Sequence, residues 1–582
     1  MDRGADPLIA GRPAAAPPLI AEVLERLPAR LLRRLDDRRD LAEAWTWTSS
    51  TGDVVVVTGA ATVRVRPASG AVWALDQVAC DCLLAPRCLH VAAVLLALPL
   101  LDQDDAGPAG SPPADSDGDE VPVTAAARAA AGAAWHACAL LLDIGATSAG
   151  LVVQGELLRA AHACRLAGLH RAAAALTRAV RRLAELHAGR PEYRLDFLLG
   201  DVSDALTSAL AVATAAEMVP RSAVGVARRA YAGVGSLRLA GIFSEAVMSA
   251  AGFAGVVTYL ADAGGRLWTV ADVAPGGPER VAAAYGAPVE VGDLALSHRG
   301  LGRAGVYLQR ATGSQDGRLG AGRGVGAVRS GTTTWDGGPW ERPVTAQLDA
   351  VYEALGLDQT VRRTGWDLLF LDGIVLGVRQ AALVLTTAVG EVSCYAPSDH
   401  EELPYRRNLR LLGAAPGLPL RVVGRVLTQR ARSLALLAVG PDVADDESPS
   451  LVLPPEWLGR ANLGVDVLQS AHVAGAERAP VELPVVAAAA APDPLDPLAR
   501  RLGQALTGGR VTQAETAWAD IDRDAALLRR RHLPAAAARL EALRASSLRG
   551  VPDARHRFAL AWTAARTYQV AARNRLSRTT WA

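Results

Sequence analysis

The residue types with the most specific chemistry lie in one short segment. Cys80, Cys82, Cys88 and His90 form a C-x-C-x5-C-x-H arrangement, and half of the six cysteines in this 582-residue chain fall between Cys80 and Cys88. This clustering favours a shared metal ion over a disulfide framework or unrelated buried thiols. Three thiolates and one imidazole complete a tetrahedral zinc shell with no open position, which is typical of structural sites. We therefore predict one structural Zn²⁺ at these four residues.

The elements on either side of this segment would position the ligands. Residues 54 to 57 are four valines, and residues 62 to 66 alternate between Thr or Arg and Val, which predicts a hairpin. A third strand is expected at 71 to 78, running into Cys80, and an apolar helix at 90 to 98. The amides and positive end of that helix would favour thiolates, and Asp81 is expected to point away from the metal.

The four ligand positions, the preceding strands and the following helix resemble the SWIM zinc finger. In that family C-x-C is followed by a variable gap and C-x-H on a strand-strand-helix fold, and Cys80, Cys82, Cys88 and His90 match all four positions. The resemblance covers residues 45 to 100. It implies zinc binding and a module that binds protein or DNA, as in Swi/Snf-type ATPases, transposases and recombination-mediator complexes.

The overall layout is similar to that of actinobacterial SWIM proteins, in which the module precedes a long Ala- and Arg-rich remainder. Those proteins are thought to accompany MoxR-type AAA ATPases and von Willebrand A proteins. The resemblance therefore implies a protein partner of one of these two types.

The absence of lysine excludes several enzyme classes. All 61 basic residues are arginine, against 60 acidic residues. P-loop ATPases, protein kinases and Schiff-base enzymes each need a lysine. If this protein works with a P-loop ATPase, that ATPase must therefore be another chain. The longest apolar stretches fall short of about 18 residues, and the start of the chain has no h-region, so we expect a cytoplasmic protein without a membrane partner.

The fold class expected is multidomain α and β: a small ββα-type zinc module, a helical region, a strand-rich mixed α/β middle and a helical C-terminal region. Strands in the middle region are expected around the Gly264-Gly265 turn, around an Asp372-Gly373 turn and near 383–389, 420–428 and 433–439. The predicted segments are an amphipathic helical segment at 1–44 split at Pro28, the SWIM module at 45–100, an acidic Pro-rich linker at 101–123, a helical region at 124–250, the strand-rich region at 251–485, an Ala/Pro linker at 486–497 and an Arg-rich helical region at 498–582.

DNA binding is the alternative to protein binding. The C-terminal segment from Asp493 onward carries 16 Arg against 8 acidic residues, a net charge of +8. The zinc module is only +1 between Val54 and Leu100, too little for a site that holds roughly 6 to 10 phosphates. Trp45 and Trp47 can stack on bases, but aromatic residues beside a small sheet are more often its hydrophobic cover.

Enzyme-like motifs are weak. The G-x-G-x-x-A match within 320–327 lacks the strand and helix that a dinucleotide site needs. The 399–404 segment has Pro404 where a zinc protease needs its second histidine, and the His-x-Cys pairs at 136–138 and 162–164 face apart on helices. A hydrolase or nuclease in the middle region stays open, and a pocket there with converging acidic residues, for example Asp367 or Asp372 near His400, would favour it.

We therefore predict a non-enzymatic scaffold or adaptor, stabilised by zinc, that binds a protein partner. Its rival is a DNA-binding protein that uses the zinc module and the Arg-rich C-terminal helices.

Overall fold

The structure is a computed structural model, and it divides the chain into two compact units. The first unit comprises residues 1–228 and 493–570, and the second comprises residues 229–492 and 571–582. The residues described are 12–38, 41–50, 53–68, 70–101, 120–191, 193–226, 231–249, 252–289, 291–292, 296–320, 324–335, 337–357, 361–442, 449–475, 481–484, 493–515, 518–548 and 553–581. Most of the two predicted linkers lies outside these residues.

The first unit begins with two short helices that are split at Pro28, as the sequence predicts. A four-stranded antiparallel sheet of order β2-β3-β4-β6 follows and leads into α3, while β1 pairs with β5. The predicted 71–78 strand is broken by a 3-10 turn at Leu75–Gln77. The elements are β1 Ala14–Ala15, α1 Pro17–Arg26, α2 Ala29–Asp37, β2 Thr46–Ser50, β3 Asp53–Val57, β4 Thr62–Val65, β5 Ala71–Val72, β6 Val78–Cys80 and α3 Leu89–Leu96.

Four long helices and a short one follow in the same unit. Their interfaces are built from alanine and leucine, and side chains such as Leu141, Leu157, Leu183 and Leu206 are fully buried. The elements are β7 Glu120–Pro122, α4 Ala125–Ile144, α5 Leu151–Leu166, α6 His170–His187, α7 Leu195–Thr214, β8 Met218–Pro220 and α8 Arg221–Val224.

Two of these helices, α4 and α7, are long and apolar enough to span a membrane by length and composition. About half of each apolar window is buried within the protein.

The second unit opens with an antiparallel sheet of order β11-β10-β9-β12-β13, here called the first sheet. The helical prediction for 124–250 is wrong at β9, because this strand pairs along both edges, with β10 and with β12, and these ladders outweigh local helix propensity. The Gly264-Gly265 turn between β10 and β11 is confirmed. The elements are β9 Tyr231–Met248, β10 Phe253–Asp262, β11 Leu267–Pro275, α9 Pro278–Gly286, α10 His298–Leu301, β12 Ala304–Ser314, β13 Gly326–Thr332 and α11 Val344–Gly356.

The second sheet has the order β16-β15-β14-β17-β18-β20, and a parallel β16–β18 pairing closes its first five strands into a barrel. The strands predicted near 383, 420 and 433 are confirmed. The remaining elements of this unit are β14 Leu368–Arg379, β15 Ala382–Thr387, β16 Gly390–Tyr395, α12 Tyr405–Gly413, β17 Pro419–Val426, β18 Ser433–Pro441, β19 Ser450–Leu451, β20 Ala461–Asn462 and β21 Val473–Ala474.

The predicted Asp372-Gly373 turn is wrong, since both residues lie inside β14. Gly373 pairs with Thr387 on one side and Leu420 on the other, so the strand continues through it. The chain turns instead at Gln380 and Ala381, whose φ values of 48° and 64° are those of a hairpin turn with both central residues at positive φ.

The two sheets share one connectivity. In each, three antiparallel strands are followed by one or more helices and then by two strands that pair beside the first strand, giving the order 3-2-1-4-5. Helices α9 and α10 occupy this position in the first sheet and α12 occupies it in the second. The second unit thus contains the same five-stranded Greek-key topology twice.

The helical C-terminal region is confirmed, and with the strand-rich middle it establishes the mixed α and β class. Its last helix contributes residues to both units. These helices are α13 Asp496–Glu515, kinked at Gly509, α14 Trp518–Arg530, α15 Pro534–Ser547 and α16 Ala554–Thr580.

Candidate metal centre

Cys80, Cys82, Cys88 and His90 converge on one point. Their ligand atoms all lie within 4.8 Å of one another, and Cys80 Sγ is 3.9 Å from His90 Nδ1. A tetrahedron built on Zn–S bonds of about 2.3 Å has edges of about 3.8 Å, so small rotamer adjustments bring the four atoms to bonding distance. The four residues can hold one metal ion, and among the described residues they are the only such cluster.

The two halves of the cluster come from the elements that the sequence predicts. Cys80 is the last residue of β6, and Cys88 is the N-cap of α3, where its sulfur accepts a hydrogen bond from the Val91 amide at 3.4 Å. His90 lies in the first turn of that helix. The strand end and helix start therefore fix three of the four ligands.

The turn between these elements presents the fourth ligand, Cys82. The amide of Ala85 donates to the carbonyl of Cys82 at 3.2 Å, which tightens the chain just after the ligand. Asp81 points away, as expected: its carboxylate accepts a hydrogen bond from the Thr62 amide at 2.8 Å and ties the turn to β4.

The protein environment shifts the pKa values of the three thiols in different directions. Burial raises the pKa of Cys80 to about 12 and also raises the pKa of Cys88. Burial acts in the same direction on Cys82, but the Leu84 and Ala85 amides and the neighbouring thiols outweigh it, so the pKa of Cys82 is lowered. A divalent cation favours the thiolate form at all three positions, so metal binding releases protons.

The two tryptophans before the sheet are engaged within the protein. The ring of Trp45 lies 5.8 Å from that of His90, and the guanidinium of Arg12 lies 3.9 Å from the ring of Trp47. The Trp47 indole donates to the carbonyl of Ala42 at 2.7 Å. These contacts agree with the cover interpretation, because Arg12 occupies one face of the Trp47 ring.

Two leucines on the metal turn are exposed, a feature that sequence reasoning missed. Leu83 is fully exposed and Leu84 is 56% exposed, although both follow Cys82 directly. Apolar residues in a C-x-C-L-L stretch suggest burial, and only the turn geometry shows that they project outward. The loop is thus apolar at its tip and carries the candidate metal ligands at its base.

Several of the C-terminal arginines, in contrast, pair with carboxylates of the same chain. Asp524 pairs with Arg500 and Arg501 at 2.7 Å each, and Asp143 pairs with Arg510 at 2.6 Å. Further pairs join Arg523 to Asp520, Arg529 to Glu541, Arg544 to Asp522 and Arg555 to Asp143. These carboxylates neutralise part of the positive charge in this region.

The other motifs considered in the sequence do not come together in a common site. Cys138 and Cys164 are fully buried on α4 and α5, as core residues. His400 lies in a loop before α12 and lines a cavity whose lining contains neither Asp367 nor Asp372. Those two carboxylates pair with Arg425 and Arg421. The described part of the 320–327 segment follows β12 and runs into the start of β13 at Gly326.

No family model matches the chain, and comparisons with curated proteins and with solved structures find no match either.

Proposed function

We propose that this chain is a zinc-stabilised SWIM-type adaptor that binds a protein partner through the turn between Cys82 and Cys88. The observation that carries the proposal is the exposure of Leu83 and Leu84 on a turn anchored by four metal ligands. A closed ligand shell leaves no coordination position for substrate, so the metal serves to hold this turn.

The chemistry of the turn favours a protein surface over a nucleic acid. Exposed leucines gain free energy when they enter an apolar pocket, at roughly 25 cal/mol per Å² removed from water. They offer no charge to a phosphate backbone. The charged residues nearest to Leu83 and Leu84 in the sequence are Asp81 and Arg87, whose opposite charges cancel. A hydrophobic pocket on a partner protein, such as a MoxR-type AAA ATPase or a von Willebrand A protein, fits this surface.

The test is the double substitution Leu83→Asp/Leu84→Asp. We expect it to abolish co-purification of the partner from the native host, because two carboxylates cannot enter an apolar pocket without a large desolvation cost. Zinc content should stay at the wild-type value, since neither residue is a ligand. Affinity purification followed by mass spectrometry and elemental analysis measures both.

Leu166→Asp is the matched control, because Leu166 is 76% exposed on α5, away from the metal turn. This variant should retain the partner. Equal recovery of the partner with the wild type and the Leu83→Asp/Leu84→Asp chain would refute the role of the turn.

The DNA-binding alternative makes its own prediction. If the Arg-rich helices hold a duplex, affinity must fall steeply with salt, because each phosphate contact releases counterions. Since many of these arginines already pair with carboxylates, we expect no mobility shift of duplex DNA at about 50 mM salt. A shift that disappears at higher salt would favour the DNA-binding function.

A further inference from the structure

A cavity in the second unit lies between the helices that occupy equivalent positions in the two sheets. Its volume is about 490 Å³, which is within the range of small-molecule sites. Helices α9 and α10 of the first sheet line one side, and the start of α12 with its preceding loop lines the other. The segment 464–467 contributes the remaining wall.

The lining is rich in arginine. Arg299, Arg406, Arg407 and Arg410 face two carboxylates, Glu401 and Glu402, so the lining carries a net charge of +2 with His400 neutral (4 − 2). Four guanidinium groups around one cavity repel one another, and an anion would relieve that repulsion.

These arginines are not all engaged by the protein. Arg406 pairs with Asp399 at 2.6 Å. For Arg407 and Arg410 no carboxylate within the described residues lies at ion-pair distance, and both side chains are exposed. They project from the first two turns of α12, whose unpaired amides and positive end also favour negative charge.

The rest of the lining is apolar. The ring of Tyr285 lies under the guanidinium of Arg299, at 4.9 Å from its centroid. The Tyr285 hydroxyl is held by Asp466 at 3.0 Å and by Arg303 at 2.8 Å, so the ring is fixed in place. Tyr285 and Val281 are only 1% and 2% exposed, so the accessible apolar surface comes from the partly exposed Val465 and from Val467, which is 38% exposed. One side of the cavity thus suits an anion, and the other suits an apolar body.

We infer that this cavity binds a small organic phosphate, with the phosphate at Arg407 and Arg410 and its apolar body against Val465 and Val467. Arginine forms bidentate hydrogen bonds with phosphate oxygens, which gives orientation as well as affinity. This site is separate from the metal centre and does not depend on the adaptor function.

The test measures binding of phenyl phosphate to the full-length chain. Inorganic phosphate and phenol, which correspond to the two parts of that molecule, are titrated separately as controls. Calorimetric titration should show phenyl phosphate binding more tightly than either half, because only the whole molecule reaches both walls. Its affinity should fall with added salt, as expected for exposed charges. Equal affinity for phenyl phosphate and inorganic phosphate, or no binding of phenyl phosphate, would overturn the inference.

Three variants locate the site. Arg407→Gln/Arg410→Gln should weaken binding by about a hundredfold, at about tenfold for each charged hydrogen-bonding group. Arg329 is an exposed arginine on β13 outside the cavity, so Arg329→Gln should leave the affinity for phenyl phosphate unchanged. Glu401→Gln/Glu402→Gln should tighten binding, an effect that misfolding cannot produce. Unchanged affinity in the arginine double variant would place the ligand elsewhere and overturn the inference.

Discussion

Replacing Cys82 by serine is expected to abolish zinc binding and to unfold residues 45 to 100. A serine hydroxyl stays protonated at neutral pH and cannot replace the thiolate, so the shell loses a ligand. Structural zinc contributes on the order of 10 kcal/mol to small modules. The sheet beside it buries mainly valines such as Val56, Val63 and Val65, which form a thin core.

Elemental analysis and limited proteolysis measure this outcome. The wild type should carry about one zinc per chain, and the Cys82→Ser chain should carry none and be cleaved within residues 45 to 100. Leu83→Ser is the matched control, because it changes the adjacent residue of the same turn without removing a ligand. Full zinc occupancy in Cys82→Ser would show that the ligands are misassigned.

Replacing Asp466 by alanine is expected to lower the free energy of unfolding of the second unit by about 3–5 kcal/mol. Asp466 is 5% exposed and pairs at 2.7 Å with Arg303, which is 3% exposed. The same carboxylate accepts hydrogen bonds from the Tyr285 hydroxyl and the backbone amide of Asn462. Removing it leaves a buried guanidinium without its counter-charge, and that desolvation cost dominates.

Urea unfolding of the full chain, followed by far-ultraviolet circular dichroism, measures the loss. Asp349→Asn is the control: Asp349 pairs with Arg578 in the same unit, but its side chain is 68% exposed, so the expected change is about 0–1 kcal/mol. The double variant Arg303→Leu/Asp466→Leu should cost less than Asp466→Ala, because no charge is left unpaired. A larger loss in the double variant would contradict this account.

Burial keeps Tyr285 a hydrogen-bond donor to Asp466. Burial, and then the charge of Asp466, raise the pKa of Tyr285 to about 12, so its hydroxyl stays protonated through the physiological range. This explains how one carboxylate can accept from a phenol, an amide and a guanidinium at once. The Tyr285 hydroxyl also connects the lining of the arginine-lined cavity to the buried ion pair of Arg303 and Asp466.

The sequence alone was sufficient for features that depend on neighbouring residues. The four candidate ligands lie within eleven residues, from Cys80 to His90, so their spacing already limits how far apart they can be. The strands around Gly264-Gly265 and the split at Pro28 follow from local backbone preferences in the same way. The SWIM resemblance and the partner class remain predictions.

Features that depend on distant segments could not be predicted. The Asp372-Gly373 pair has strong turn propensity, yet β15 and β17 pair with it on both sides and hold it extended. The actual turn at Gln380 and Ala381 carries no glycine or asparagine signal. The strand β9 was missed for the same reason, since its two long ladders are formed with strands that come later in the chain.

The division between the two kinds of feature has one physical cause. Ligand spacing and turn chemistry act over a few residues, so the sequence could predict that Cys80, Cys82, Cys88 and His90 lie close together. The arginine-lined cavity brings Arg299 and Arg410 together from elements more than a hundred residues apart, and only the packing of the two sheets against each other decides that they meet. Exposure of Leu83 and Leu84 was likewise decided by the tertiary structure, because a side chain's direction from a turn depends on the strand and helix that hold the turn in place.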